Sequence, residues 1–185
     1  MADVAAVADV WTLAMTNEPM VRWPLADRNA AVGPMFASLA SDYVTSQVVW
    51  VDSDLRAAAA WLPPEMAVDT TDFDERILAA IAAYTDDGGG HYVRFWTWVA
   101  EHMPDEPVWF LDVLGVTPSA QRHGLGDALV RHGLALADAD GVASLLETGT
   151  PQNVGYYRRF GFEVWHQEAA PDSGPVVTFM MRRPA

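Results

Sequence analysis

The chain contains no cysteine and no lysine, and it has no apolar run long enough to cross a bilayer. Without cysteine there is no disulfide, no thiolate metal ligand and no thiol nucleophile, so acyl transfer through a Cys-acyl intermediate is excluded. No stretch approaches the ~18 consecutive apolar residues of a spanning helix. The start, Met1-Ala2-Asp3-Val4, lacks the basic region and apolar core of a secretory signal. The expectation is a soluble, cytoplasmic protein with no membrane partner. All 11 basic residues are arginine, against 25 acidic ones, for a net charge of −14. Such a chain repels phosphate backbones and carries no basic patch, which argues against a nucleic-acid partner. Its field favours a cationic ligand such as an amine, whereas a polyanion must be held by local donors that outweigh the global charge. His91, His102, His123, His132 and His166 are scattered along the chain, and no metal site is expected from them.

What is present suits one domain, residues 1–185, long enough to bury a core and short for two. Helix-like and strand-like segments alternate, which predicts an α/β or α+β fold. Val4, Val7, Ala8, Trp11 and Ala14 recur at helical spacing from Asp3 to Thr16. A second helix is expected from about Gly33 to Tyr43, with Pro34 in its first turn and Met35, Leu39 and Tyr43 on its apolar side. Met20 to Leu25 reads as a loop of large side chains. Gln47 to Asp52 and Arg56 to Leu62 form a hairpin around Ser53-Asp54, ended by Pro63-Pro64. Asp74 to Tyr84 and His91 to Met103 read as helices on either side of Asp86-Asp87-Gly88-Gly89-Gly90. Phe95, Trp96 and Trp98 are assigned to the core, and this irregular region is the expected source of substrate-specific walls.

The C-terminal part is more regular. Trp109 to Val116 is an apolar strand carrying one charge, Asp112. Leu125, Ala128, Leu129, His132 and Leu136 trace a helix face up to Asp140-Gly141. Val142 to Leu146 reads as a buried strand, and Asn153 to Phe160 as a short helix stopped by Gly161. Phe162 to Gln167 and Val176 to Met181 pair as a hairpin across the loop from Pro171 to Pro175.

The strongest chemical signal is strand, then Pro118-Ser119-Ala120-Gln121-Arg122-His123-Gly124-Leu125-Gly126, then helix. The first N–H groups of a helix lack partners inside it and sit at the positive end of its dipole, so a diphosphate can accept several at once. Gly124 and Gly126 remove side chains where crowding would be worst, and Arg122 and His123 are candidate donors at the rim. The segment lacks the third glycine of a dinucleotide fingerprint and the Gly-Lys-Ser/Thr end of a triphosphate loop.

Gln121-x-x-Gly124-x-Gly126 after Val116-x-Pro118 resembles the acetyl-CoA signature of the GNAT superfamily of N-acetyltransferases. Asn153-Val154-Gly155-Tyr156-Tyr157-Arg158-Arg159-Phe160-Gly161-Phe162 is similar to that superfamily's second hallmark, a tyrosine followed by Gly-Phe entering a strand. Within it, the resemblance is closest to the puromycin-type acetyltransferases. That likeness rests on Glu106-Pro107-Val108-Trp109-Phe110-Leu111, Leu146-Glu147-Thr148 and Met180-Met181-Arg182-Arg183-Pro184-Ala185, and more faintly on Val49-Trp50-Val51 and Ala60-Trp61-Leu62-Pro63-Pro64-Glu65.

The resemblance implies a mixed, mostly antiparallel sheet splayed at its centre, flanked by helices, with the acyl-CoA arm in the opening. It implies acetyl-CoA as co-substrate and the primary amine of a small molecule as acceptor, and a homodimer is compatible with it. Main-chain groups of Leu114 and Val116 would bond the pantetheine arm and the acetyl carbonyl, and Gly115 would sit at a β-bulge. Gln121, Arg122, His123, Gly124, Leu125 and Gly126 would hold the diphosphate. Tyr157 would protonate the leaving thiolate; a phenol of pKa ~10 suits that task. Tyr156 would pack beside it or face the substrate. Asn153 is a good helix N-cap and a candidate pantetheine contact, although many members place that asparagine where this chain has Thr150.

An alkylamine arrives protonated, so a base or an ammonium anchor is needed, and Asp112 and Glu147 are the candidates. Some relatives carry an acid at the position of Asp112, whereas the puromycin type has a small apolar residue there. Trp11, Trp23 and Tyr43 are candidates for a substrate wall. An aminoglycoside, a polyamine, a small metabolite amine and a protein N-terminus all remain open as acceptors, and so does an acyl-CoA-binding module without catalysis.

Overall fold

The computed structural model describes residues 3–66 and 71–185; Met1 and Ala2, at the start of the segment read for a signal, lie outside them. Helices α1 (Val4–Met15), α2 (Pro19–Arg22) and α3 (Asn29–Thr45) lead into strands β1 (Val49–Val51) and β2 (Ala57–Leu62). Helices α4 (Thr71–Ile81) and α5 (Gly90–Ala100) follow, then β3 (Val108–Val116), α6 (Leu125–Asp140), β4 (Ala143–Thr148), α7 (Pro151–Arg158), β5 (Glu163–Ala169) and β6 (Val176–Arg182). The strands form one six-stranded sheet in the order β1-β2-β3-β4-β6-β5. Among the described residues only the β3–β4 pair is parallel. This is the mixed, mostly antiparallel α+β arrangement expected. Among the described residues no helix is long and apolar enough to cross a membrane.

Local chemistry explains most element ends. Asp3 caps α1 by accepting from the N–H groups of Ala5 and Ala6. Pro19 occupies the first position of α2, where its missing N–H costs nothing, so part of the expected 20–25 loop is helical. Helix α3 begins at Asn29, several residues earlier than expected, and places Pro34 inside rather than in the first turn. The lost hydrogen bond there is offset because the added turn buries Ala31 and Val32 completely or nearly so. Helix α4 lies nearer the N-terminus than the expected 74–84 span.

Helices α1 and α3 cover one face of the sheet, where Val7, Trp11, Val32 and Phe36 meet Val113 and Leu145. Helices α6 and α7 cover the other, with Leu129, Leu134 and Tyr157 against Trp61, Leu111 and Leu146. Helix α5 brings Phe95 and Val99 onto Val177 and Phe179 of β6. The buried stripe of α6 is Leu129, Val130, Gly133, Leu134 and Ala137; His132, expected on the stripe, is exposed with its ring 5.2 Å from that of Trp50. The stripe is centred on Gly133, because a Cβ there would stand 2.0 Å from Cε2 of the fully buried Trp61. Trp61 fills that notch and donates its Nε1–H to the Leu129 carbonyl across 3.3 Å. Truncating a tryptophan packed this way costs about 3–5 kcal/mol.

Two irregularities in β3 shape the site. Against β2, Ala60 pairs with Val113 but Trp61 pairs with Leu111, which leaves Asp112 as the extra residue of a bulge. The expected bulge at Gly115 is not there: Gly115 pairs regularly with Ala58. Its small size serves packing instead, since a Cβ would meet Trp11 at 2.9 Å and Ala14 at 3.2 Å. Against β4, pairing covers only Val108 to Leu111 with Ala143 to Leu146. Beyond Leu111 the two central strands diverge, and the sheet opens.

Candidate active site

The opening leaves backbone groups without strand partners. The Thr117 N–H donates to the Arg56 carbonyl at 2.8 Å, so that peptide faces β2. Peptide groups alternate direction along a strand. The N–H and C=O groups of Leu114 and Val116 therefore face the other edge, the one β4 has left. The Val116 carbonyl already accepts from Gln121 Nε2 at 3.3 Å, which ties the end of β3 to the loop after it.

That loop ends in a helix start built without a side-chain cap. Gly124 is the N-cap of α6 and has φ +81°, a left-handed conformation that favours glycine. The Ala128 N–H bonds the Gly124 carbonyl at 3.0 Å, so the N–H groups of Leu125, Gly126 and Asp127 precede the first intrahelical bond. Nothing lies within 4 Å of a Cβ built on Gly124, whereas one built on Gly126 would stand 3.0 Å from the Tyr156 hydroxyl. Gly124 thus keeps the approach to the helix open, and Gly126 lets Tyr156 close over its side. Arg122 is also left-handed, at φ +66°. These two turns send the His123 ring back onto the short 118–120 turn, with Nδ1 3.3 Å from the Ala120 oxygen. His123 does not line the central cavity, contrary to the expectation of a donor at its rim.

A cavity of about 1120 Å³ runs from this helix start to the splay. It is bordered by Leu114, Val116, Gln121, Arg122, Gly124, Leu125 and Gly126 on the loop side. Asp112, Glu147, Asn153 and Tyr157 border it as well, so one space gathers every other candidate for catalysis or cofactor binding read from the sequence.

Tyr157 sits on α7, buried, with its ring edge-on to Tyr156 at 5.0 Å and to Phe162 at 6.0 Å. Burial pushes its hydroxyl well above the usual phenol range, and neighbouring Tyr156, Glu18 and Glu147 push it the same way. It stays protonated at any working pH. Asn153 is not the N-cap: Thr150 precedes the helix and Pro151 takes its first position. Asn153 instead lies in the first turn and donates from Nδ2 to Thr148 Oγ1 at 3.0 Å.

The carboxylates share the same cavity wall. The Asp112 bulge faces α3, where the buried Tyr43 donates its O–H to Oδ2 at 2.8 Å. Burial raises Asp112 to about 6, although the Tyr43 bond pulls it down. Glu147 is pushed well above the carboxylate range, first by burial and then by the charge of Asp112. Its Oε2 is buried without a hydrogen-bond partner. Glu18, just before α2, also lines the cavity. It accepts from the Gly149 N–H at 3.1 Å and the Thr150 hydroxyl at 2.7 Å, clamping the β4–α7 turn. No local signal marks it, because those partners lie more than 130 positions away.

Other expectations shift. Trp11 is fully buried and donates to the Ala58 carbonyl, so it is core rather than wall. Trp23 faces a separate, smaller hollow against His91. Trp96, assigned to the core, lines the main cavity. Arg159, at the end of α7, pairs with Asp127 at 3.3 Å, lies over the Tyr156 ring and also lines the cavity. The histidines are less scattered than the sequence implies: His102 and His166 both contact the Glu168 carboxylate, at 3.1 and 3.2 Å, and the three ligand atoms lie within 4.8 Å of one another. Strand alternation puts His166 and Glu168 on one face, and the turn after α5 delivers His102.

The profile of the acetyltransferase (GNAT) family matches residues 35–162. Among curated proteins, the peptidyl-lysine N-acetyltransferase YjaB of Salmonella typhimurium is 34% identical over 84 residues, covering 42% of this chain and 57% of that protein. The chain thus matches just over half the length of that relative. Among solved structures, one described as histone acetyltransferase HPA2 and related acetyltransferase from Corynebacterium glutamicum aligns over 100% of this chain and 93% of its own. Its TM-score is 0.68 at 25% identity. Arylalkylamine N-acetyltransferase 2 from Aedes aegypti shares the fold alone, with TM-score 0.66 at 12% identity over 100% of this chain and 97% of its own. With its splayed sheet, its uncapped helix start and a family match over most of its length, the chain belongs to the GNAT family of acetyltransferases.

Proposed function

We propose that this protein transfers the acetyl group of acetyl-CoA to the primary amine of a small molecule, by direct attack while both substrates are bound. The observation that carries this reading is the single cavity that joins the uncapped start of α6, the buried phenol of Tyr157 and the carboxyls of Asp112 and Glu147. The residues present fit acetyl-CoA. The N–H groups of Leu125 and Gly126 suit a diphosphate, with Gln121 and Arg122 beside them, and the peptide groups of Leu114 and the N–H of Val116, which face the splay, suit the pantetheine arm. Asn153, directed at Thr148, borders the same channel.

The chemistry follows from the ends of the cavity. Asp112 is ionised above pH ~6 and takes the proton of the arriving ammonium, and Glu147, which feels the charge of Asp112, borders the same space. The neutral nitrogen adds to the thioester carbonyl, and a backbone N–H facing the splay holds the oxyanion. The tetrahedral nitrogen loses its second proton to solvent, and collapse breaks the C–S bond and expels the CoA thiolate, which takes the Tyr157 proton; the proton gathered by the carboxylate returns to the phenolate through solvent, for one proton released overall. The products are the acetamide and CoA-SH. No thiol is available for a covalent intermediate.

The likeness to puromycin-type enzymes rests on the sequence alone and supports a small-molecule acceptor. YjaB acts on peptidyl lysine and supports a protein acceptor. Thiol release, followed with acetyl-CoA and a panel of amines, tests the reading. Double-reciprocal lines that intersect are expected. Parallel lines, or CoA binding without acceptor-dependent release, would overturn it.

A further inference from the structure

The cavity walls are sorted by chemistry. Every arginine, glutamine and asparagine that lines it among the described residues comes from the loop before α6 or from the end and first turn of α7: Gln121, Arg122, Asn153 and Arg159. Helices α1, α2, α3 and α5 contribute only apolar and aromatic side chains, apart from Thr97. Met35, Leu39 and Tyr43 recur every four residues along α3 and form one wall. Tyr92, Trp96 and Val99 recur along α5 and form the facing one, with the Tyr92 and Trp96 rings 6.1 Å apart. The same space is bordered by Asp112, held by Tyr43 near the end of α3, and by Glu147.

Resting on the acetyltransferase reading above, we propose that this chamber selects a compact primary amine with one cationic nitrogen and an alkyl or aromatic body. Such a ligand puts its ammonium against Asp112 and Glu147 and its body between Leu39 and Trp96. A polyhydroxylated aminoglycoside would bury hydroxyls against walls that offer almost no partners, each at a desolvation cost. A peptide would do the same with its backbone groups. A polyamine would bring further charges into a chamber where the residues lining it from α3 and α5 offer no carboxylate to match them. Trp96 is then a specificity-determining residue, although the sequence alone assigns it to the core.

The test compares kcat/KM at saturating acetyl-CoA for 2-phenylethylamine, hexylamine, spermidine, kanamycin and a lysine peptide, read as thiol release. The two apolar amines are expected to exceed the other three by about 100-fold or more. Trp96→Ala should raise KM for 2-phenylethylamine by about tenfold with kcat and CoA affinity held, because the wall and not the chemistry is removed. If spermidine, kanamycin or the peptide is the best acceptor, the proposed class is wrong while acetyl transfer stands. If no amine supports thiol release although calorimetry shows CoA binding, acetyl transfer and the acceptor class both fall. A Trp96→Ala protein with unchanged kinetics on all five amines overturns the role of that wall.

Discussion

Tyr43 reaches from the end of α3 to donate its hydroxyl to Asp112 at the bulge of β3, across 2.8 Å. The bond joins an N-terminal helix to the middle of the sheet and opposes the burial that raises Asp112 to about 6. Tyr43→Phe removes it and leaves burial in place, so the Asp112 pKa must rise further. As the proposed base Asp112 works only when ionised, so activity is expected to be lost as pH falls through its pKa. The acid limb of kcat/KM, expected near 6 in the parent, should move to higher pH in Tyr43→Phe, with rates nearly restored at pH ~9. A limb that stays in place would remove Asp112 from the proton path.

The same carboxyl carries a stability cost with a definite sign. Its folded pKa of about 6 lies above the ordinary value of 3.8, so the folded state binds the proton more tightly. Stability from this group is greatest below pH ~4, falls as pH rises to ~6, and stays reduced above that. Asp112→Asn has no such slope. Relative to their difference at about pH 3.5, the variant should gain on the order of 3 kcal/mol over the parent at about pH 8, while losing activity. Urea denaturation at the two pH values checks the first part, and thiol release checks the second.

Tyr157→Phe keeps the ring that packs against Phe162 and removes only the hydroxyl proposed as the proton donor. Turnover should fall by about 100-fold, the lower end of the usual range for a general acid, with CoA affinity unchanged. Because burial holds the hydroxyl far above its usual range, the parent should show no alkaline loss of activity from this group below pH ~10. Tyr156→Phe, whose ring packs beside Gly126, serves as the comparison and should change turnover much less. Equal effects of the two substitutions would move the acid role away from Tyr157.

The elements of the C-terminal half were legible because their signals are local. Gly124 and Gly126 announce a strand-to-helix turn, and the apolar run of 109–116 announces a central strand. What escaped is long-range. The bulge falls at Asp112 rather than Gly115 because register is set by pairing with β2, which strand composition does not encode. Gly115 is small for the sake of Trp11, about one hundred positions earlier. Glu18 and Trp96 join the cavity only through the packing of α2 and α5, and periodicity marks an aromatic helix face without saying what it faces. His132 matched the apolar spacing of α6, yet the stripe rotates away from it to seat Gly133 on Trp61.

Gly124 separates the cradle from the fold most cleanly. A side chain added at this position meets no atom within 4 Å, so it disturbs no packing; its only local penalty is the left-handed φ of +81°. That penalty is about 1–2 kcal/mol for an L-residue, and the β-branched side chain of valine places it at the upper end. The space the new side chain enters is the approach to the N–H groups of Leu125 and Gly126, where a diphosphate would be held. Gly124→Val should therefore remain folded, with thermal stability lowered by a few degrees. Its affinity for CoA, measured by calorimetry, should fall by at least about tenfold, a loss equivalent to one good charged hydrogen bond. Gly141→Val is the control: it carries the same kind of strain at φ +66°, also with nothing within 4 Å, at the far end of the same helix. It should cost similar stability and leave CoA affinity intact. Equal CoA affinity in the two variants would mean that the start of α6 is an ordinary helix end, and the diphosphate would have to be sought elsewhere on the cavity wall.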